Sequence, residues 1–357
     1  MKKKDMIFIS MHLPSPNIPQ AGQKLAYNRL KEYSQKYNIH LLSFFNNNEK
    51  DFCDDTDFSF CKSIELFSLT NLRRIVNFIS NINLPVCLAI RKDYRVFASF
   101  HRLLRKLPQA CIHIEYEQGA VYLDDKLRRD DTVVFHDVIS QSVDRFRSSS
   151  ANFFKKNYYG LQYYMLTKWE KKIIPKINNK VVLNNKDAVL IKKIANSSDG
   201  IKIEYPNVSE IFRSVSRNNP EKGAIIFWGA MNRFENIDAV KWFVQDIFPH
   251  VLEKNNSAKL YIVGANPLQD VLKLSSDNVI ITGFVDNPVG YFEKAQVAIV
   301  PLRYGAGVKL KVIEALAANI DVVSTDVGAE GIIDDSGRLY VKNTPLDFAN
   351  AIIDIIK

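Results

Sequence analysis

The segment Val300-Pro301-Leu302-Arg303-Tyr304-Gly305-Ala306-Gly307-Val308-Lys309-Leu310-Lys311-Val312-Ile313-Glu314-Ala315-Leu316 holds the strongest concentration of chemistry in the chain. Gly305 and Gly307 leave backbone N–H groups uncovered before a helix expected to begin near Val308, and Arg303, Lys309 and Lys311 gather positive charge at the same point. Bare amide donors, the positive end of a helix dipole and cations together suit a diphosphate. Glu314 follows on the same helix, where a carboxylate can accept hydrogen bonds from neighbouring hydroxyls such as those of a ribose. Its i,i+3 spacing from Lys311 also suits a salt bridge on a solvated helix face. Asn319 fits a left-handed cap that closes the helix.

Two further places carry reactive types. Trp228-Gly229-Ala230 follows an expected strand and precedes a helix, so Gly229 permits close backbone approach to a phosphate at the helix start. The loop lacks G-x-G-x-x-G, which removes the dinucleotide fingerprint, and one glycine there is also ordinary turn chemistry. His136, in Phe135-His136-Asp137, ends an expected strand. A histidine so placed can hydrogen-bond a substrate or stabilise developing charge, or serve as a satisfied structural group. Asp137, Arg145 and Arg147 are the nearby groups that could orient it or meet a phosphate.

These residues need elements to position them. Strands are expected at 6–10, 39–45, 111–116, 132–136, 180–183 and 201–204, with helices at 25–36 and 151–172. The second half repeats the scheme, with strands at 224–228, 259–263, 279–282, 297–301, 321–324 and 337–341 and helices near 237–254, 289–294, 308–318 and 345–356. Nearly continuous apolar strands alternating with helices imply parallel sheets covered on both faces. Two such runs imply an α/β chain of two doubly wound, Rossmann-like domains. The join is expected near Tyr205-Pro206-Asn207 or in the polar stretch 214–223, separating 1–205 from 206–357. Ligands of open parallel sheets bind beyond the carboxyl ends of the strands, so the reactive loops are expected to face a cleft between the domains.

Composition narrows the classes. With 357 residues, 46% hydrophobic and 24% charged, the chain reads as a soluble globular protein with no long disordered tract. No apolar run approaches the roughly 18 residues of a membrane span. Met1-Lys2-Lys3-Lys4 is basic like the start of a signal peptide, but the following apolar run is short and meets His12, Pro14 and Pro16, so it is read as a buried strand. Cys53, Cys61, Cys87 and Cys111 and the six histidines show no metal-ligand spacing, and reduced thiols in a cytoplasmic protein are expected. Asp55-Thr56-Asp57 has the form of a metal-binding Asp-x-Asp but sits in an acidic loop, and no metal is expected. Residues 1–205 carry roughly +12 and the remainder about −3, the sum being the overall +9. Such a basic half suits an anionic neighbour. Basic and apolar residues mix in 71–76, 91–106 and 155–172, the last with Tyr158, Tyr159, Tyr163, Tyr164 and Trp169. That mixture suits a lipid headgroup layer, or equally solvated helix faces with core aromatics. No helix-turn-helix or RNA-stacking signature accompanies it, so nucleic acid is not expected.

The second half resembles the donor domain of retaining family 4 glycosyltransferases of the GT-B fold, in the branch with Pro-Leu-Arg-x-Gly-x-Gly-x-Lys-x-Lys-x-x-Glu. The stretches 229–243, Tyr261-Ile262-Val263-Gly264, Thr282-Gly283-Phe284-Val285-Asp286, and Val322 through Gly331 support it over about 120 residues. The resemblance implies that Glu314 holds the donor ribose, that backbone at Gly283, Phe284 and Val285 meets the base, and that Gly307, Val308 and Lys309 contact the donor sugar. It implies that Gly22 stands in the family's glycine-rich loop near donor phosphates and acceptor, and that His136 faces the transferred sugar. The first Glu of the family's Glu-x7-Glu falls on Ala306, and the Arg and Lys found in relatives after the first donor-domain strand fall on Ala230 and Glu235. Arg303, Lys309 or Lys311 is then expected to supply the phosphate-neutralising charge. The implied activity is metal-independent transfer, with retention, from a nucleotide-sugar to a lipid-linked oligosaccharide at the inner membrane face. A nucleotide-sugar epimerase and a catalytically silent binding subunit are the alternative readings.

Overall fold

In the computed structural model, residues 3–18, 20–52, 55–123, 130–150, 152–305 and 307–357 are described. Cys53, Ala151 and Ala306 therefore lie outside the described residues. The chain divides into two compact units, Met1–Tyr205 and Pro206–Lys357.

The first unit is built on β1 (Lys4–Ser10), β2 (Tyr37–Phe45), β3 (Ser63–Ser68), β4 (Cys111–Glu115), β5 (Thr132–Phe135), β6 (Asn179–Val182) and β7 (Ile201–Ile203). They form a parallel sheet in the order β3-β2-β1-β4-β5-β6-β7. Ile7, Phe8 and Ile9 of β1 have no exposed surface because helices cover both faces of the sheet, as the continuous apolar run implies. β3 escapes that signal. At the sheet edge residues 63–66 alternate between half-buried and exposed and only Phe67 is buried, so Ser-Ile-Glu-Leu-Phe-Ser lacks a continuous apolar run.

The second unit contains β8 (Ala224–Trp228), β9 (Lys259–Val263), β10 (Val279–Gly283), β11 (Val297–Val300), β12 (Asp321–Ser324) and β13 (Leu339–Val341). Their order, β10-β9-β8-β11-β12-β13, is again doubly wound and parallel. The helix expected over 237–254 is interrupted. It runs Phe234–Trp242, passes through a π-helical turn at Phe243–Ile247, and resumes at Phe248–Lys254. Pro249 explains the break, because it has no N–H for the helical ladder.

The polar stretch 214–223 is no linker; it belongs to the second unit. The Arg217 guanidinium donates to the carbonyls of Phe292 and Ala295, and Glu221 N donates to Lys294 O at 2.8 Å. Helices unremarked in the sequence also appear at Asn71–Ser80, Tyr94–Lys106, Ile139–Ser149 and Asn185–Ala195. Cys61, Cys87 and Cys111 are free, half-buried thiols, and burial pushes them up to about 12, 12 and 11.

Candidate active site

In each sheet the winding reverses between adjacent strands, β1 and β4 in the first unit and β8 and β11 in the second. Chains leaving two such strands diverge to opposite faces of the sheet and open a crevice at their carboxyl ends. Polar clusters occupy both places.

In the second unit, Trp228 and Gly229 leave β8 beside the loop that follows β11. Leu310–Ala317 forms the helix after that loop, two residues later than Val308, and Asn319 adopts the left-handed conformation (φ 56°) just beyond it. Lys311, on the first turn, sends Nζ back to Asn236 Oδ1 at 2.7 Å and lies 4.3 Å from the centre of the Phe227 ring. Burial, then the positive charges of Arg233 and Lys309, lower its pKa from 10.5 to about 7. A Cβ on Gly229 would stand 2.8 Å from Lys311 Nζ, so the missing side chain is what lets the ammonium lie against the end of β8. One turn on, Glu314 Oε2 accepts from Trp228 Nε1 at 3.2 Å. Lys311 and Glu314 thus both reach toward the end of β8 from one helix.

The loop itself is held from two sides. Lys309 Nζ donates to Gly307 O at 2.6 Å and lies 4.0 Å from Glu330 Oε2. Thr325 Oγ1 donates to Leu302 O, and Gly328 N to Thr325 Oγ1 at 3.1 Å, so the loop after β12 buttresses the loop after β11. Arg303 pairs with a carboxylate of the Phe234–Trp242 helix. Its guanidinium forks onto Asp238 at 2.9 and 2.6 Å over the Trp242 ring, and that carboxylate raises its pKa. Gly305 and Gly307 take positive φ values of 118° and 73°, and Val308 is half-buried between Gly307 and Lys309. Gly283 ends β10 at φ 71°, and its carbonyl accepts from Gly264 N at 3.1 Å. Phe284 is exposed, whereas Val285 packs on the core.

In the first unit the geometry gathers Gly22, His136 and a residue the sequence reading missed. Glu115, the last residue of β4, is fully buried and receives three partners. Arg29 Nη1 donates to it at 2.7 Å, His113 Nε2 lies 3.1 Å away, and His136 Nε2 meets its other oxygen at 2.7 Å. Burial works to raise the Glu115 pKa, yet Arg29 and the two imidazoles hold it well below 4.5. Arg29 also meets Glu204 at 3.2 Å. Tyr116, held at φ 75°, stacks its ring on His136 at 4.0 Å. A Cβ on Gly22 would stand 3.1 Å from Tyr116 Oη and 3.2 Å from His136 Nδ1, so the glycine closes directly on this stack. Of the other groups named around His136, Arg147 pairs with Asp144 on its own helix at 2.6 Å, and Asp137 accepts from Ser142 Oγ at 3.4 Å.

The signal for Glu115 was available: a carboxylate closing the apolar strand Cys-Ile-His-Ile-Glu is a charge at the mouth of a parallel sheet. Asn236 and Trp228 gave no such signal, since their role comes from two loops meeting.

Two doubly wound α/β units in series, each with its polar cluster at the switch point, define the GT-B class of fold. Residues 222–357, nearly the whole second unit, match the family described as Glycosyl transferases group 1. Among solved structures, sucrose-phosphate synthase from Thermosynechococcus elongatus is similar with a TM-score of 0.67 and 17% identity, over 99% of this chain and 90% of that one. Anabaena HepE in complex with UDP-glucose gives 0.59 and 12%, over 99% and 90%. The lipopolysaccharide outer core galactosyltransferase WaaB, in its apo form, gives 0.57 and 14%, over 98% and 90%. At these identities the likeness is one of fold. An uncharacterized 44.6 kDa protein in the cps region of Klebsiella pneumoniae is 29% identical over 143 residues, which is 37% of this chain and 37% of the length of that relative.

Proposed function

We propose that the chain is a retaining glycosyltransferase that moves a sugar from a nucleotide-sugar donor, bound by residues 206–357, to a lipid-linked glycan in surface polysaccharide synthesis. The observation that carries this reading is the convergence of Gly229, Lys311 and Glu314 at the switch point of a unit that matches glycosyl transferases group 1. The donor pyrophosphate takes the uncovered amides at the start of the Leu310–Ala317 helix together with Lys311 and Lys309. Glu314 accepts from the ribose hydroxyls, backbone at Gly283, Phe284 and Val285 meets the base, and Gly307 and Val308 meet the sugar. In the first unit His136, held by Glu115 and flanked by Gly22, is the group assigned to the transferred sugar.

The anomeric C–O bond to the pyrophosphate breaks as the acceptor oxygen bonds to the same carbon from the same face. The acceptor proton passes to the departing phosphate oxygen, whose charge the amides and lysines stabilise. These groups do the work assigned to a metal elsewhere, so activity is expected to survive EDTA. The reported complex of HepE with UDP-glucose and the cps-region relative support the donor and pathway classes. The proposed working place is the cytoplasmic face of a membrane.

A thermal-shift panel of UDP-, GDP-, dTDP- and CMP-sugars on the full chain, run with EDTA, tests the reading. One nucleotide class is expected to raise Tm, by about 2.7 kcal/mol of linkage at a hundredfold excess over Kd. Glu314→Gln is expected to weaken that class by roughly tenfold or more, the loss of a charge-assisted hydrogen bond. A panel with no responder, or a variant that binds as wild type does, overturns it.

A further inference from the structure

The Asn71–Ser80 helix of the first unit is built inside out. Its buried residue is Asn77, whose Nδ2 donates to Ile90 O at 3.0 Å and to Asp93 Oδ2 at 3.3 Å. Arg73 also turns inward, to Asp93 at 3.0 Å, and Arg74 reaches Asn46 Oδ1 at 2.6 Å. The opposite face carries Leu72, Ile75, Val76 and Ile79, exposed by 72, 56, 41 and 66%. Their spacing of three and four residues is that of one continuous stripe. The stripe continues at Ile82, which is 68% exposed. A helix on a soluble protein turns such a stripe to the core; this one presents it to the surroundings.

Neighbouring elements repeat the combination. Tyr94 and Phe97, 76 and 45% exposed, share a groove of about 530 Å³ with Val76, Ser80, Arg73 and Lys92. The Phe153–Ile173 helix packs on the segment that follows the stripe, since Gln162 Oε1 accepts from Val86 N at 2.8 Å. That helix opens with Phe153 and Phe154, 70 and 80% exposed, followed by the exposed Lys155 and Lys156.

We propose that the stripe on the Asn71–Ser80 helix, with Tyr94 and Phe97 beside it, is a docking surface for an anionic lipid bilayer, into whose headgroup layer the apolar side chains insert. Charge selects this occupant over a second copy of the chain. A unit carrying roughly +12 repels its like and is drawn to an anionic surface. Aromatic and aliphatic side chains flanked by Lys and Arg are the composition of an interfacial helix, and no helix among the described residues is long and apolar enough to cross a membrane. The inference deepens the proposed function by naming the surface that meets the membrane, and it rests on that reading only for the lipid-linked acceptor.

The test is co-sedimentation of the full chain with vesicles of phosphatidylglycerol and phosphatidylethanolamine, against vesicles of phosphatidylcholine alone. Wild type is expected to pellet with the anionic vesicles and less so at high salt. The triple variant Leu72→Ser, Ile75→Ser, Ile79→Ser changes only exposed positions, so its apo Tm is expected to match wild type. Its partition is expected to fall by at least about tenfold. Equal pelleting of variant and wild type, or no preference for anionic vesicles, overturns the proposal. So does a concentration-dependent dimer that the triple variant abolishes, which would assign the face to a second copy. Nucleotide-sugar thermal shifts on the same preparations separate the two readings. Donor binding without vesicle binding sinks the surface alone, and vesicle binding without donor binding sinks the transferase alone.

Discussion

Lys311 shows how one missing side chain sets a titration. The ammonium lies against Phe227 and Asn236 because Gly229 leaves room for it, and burial with Arg233 and Lys309 lowers its pKa to about 7. In the unfolded chain the ordinary value of 10.5 applies. Between those two values the unfolded state binds the additional proton, so this group makes the apo protein more stable as pH rises through the window, and that stability is absent below it. A pyrophosphate beside Nζ reverses the preference and draws the proton back. Donor binding at about pH 8 is therefore expected to take up a fraction of a proton approaching one, and affinity to fall as pH rises further. Titration calorimetry in buffers of differing ionisation enthalpy measures the uptake, and Lys311→Met should remove it. A binding heat independent of buffer would refute the assignment. Lys309, Lys311 and Glu314 were legible as a set because they lie within six residues on one helix start. The fork of Arg303 onto Asp238 was not, since its partner stands 65 positions away. A separation of 21 positions likewise hid Glu115 from His136, whose contact needs β4 and β5 side by side.

At the scale of elements, the Ile139–Ser149 helix begins on a pair of buried acids. Ile139 N donates to Glu117 at 3.1 Å and Ser140 N to Glu170 at 3.0 Å. Burial first, then the facing carboxyl, push Glu117 well above 4.5, and burial raises Glu170 as well. The pair holds a proton that the unfolded chain would release. Above 4.5, and up to the raised values, the native state binds more protons, so stability from this pair is present in acid and declines as pH rises. Glu170→Gln keeps an acceptor for Ser140 and supplies a neutral donor in place of the shared proton. It is expected to gain on the order of 1 kcal/mol near pH 8, roughly 2–4 °C in Tm, and little near pH 5. Melting curves at the two values decide it; a loss at pH 8 would mean that the charged pair is the stabilising form. This helix follows His136 directly, so its start fixes the backbone that carries the imidazole. Strands buried on both faces were readable as apolar runs, whereas β3 at its edge and the inside-out Asn71–Ser80 helix were not. Their patterns depart from the rule that apolar means inward.

At the scale of the molecule, each described core cluster is complete within one unit. The cluster from Phe212 to Ile356 packs β8 to β12 against their helices, and those of the first unit run from Met6 to Ile203. A domain of about 150 residues buries roughly 68–70% of its chain's surface, enough to stand alone. The second unit also contains the groups assigned to the donor's nucleotide and pyrophosphate: Gly229, Gly283, Lys309, Lys311 and Glu314 all follow the division between Tyr205 and Pro206. Residues 206–357 expressed by themselves are therefore expected to melt in one cooperative transition and to keep the nucleotide preference of the full chain. The first unit contributes its basic charge and His136, so the isolated second unit should bind donor without turnover. Calorimetry with and without the responding nucleotide-sugar reads both properties. A cooperative melt with no nucleotide shift would show that donor binding needs groups from 1–205, and would move the seat of recognition away from the Leu310–Ala317 helix. A broad, non-cooperative melt would show instead that the second core is finished only by the first, against the completeness of the Phe212 to Ile356 cluster.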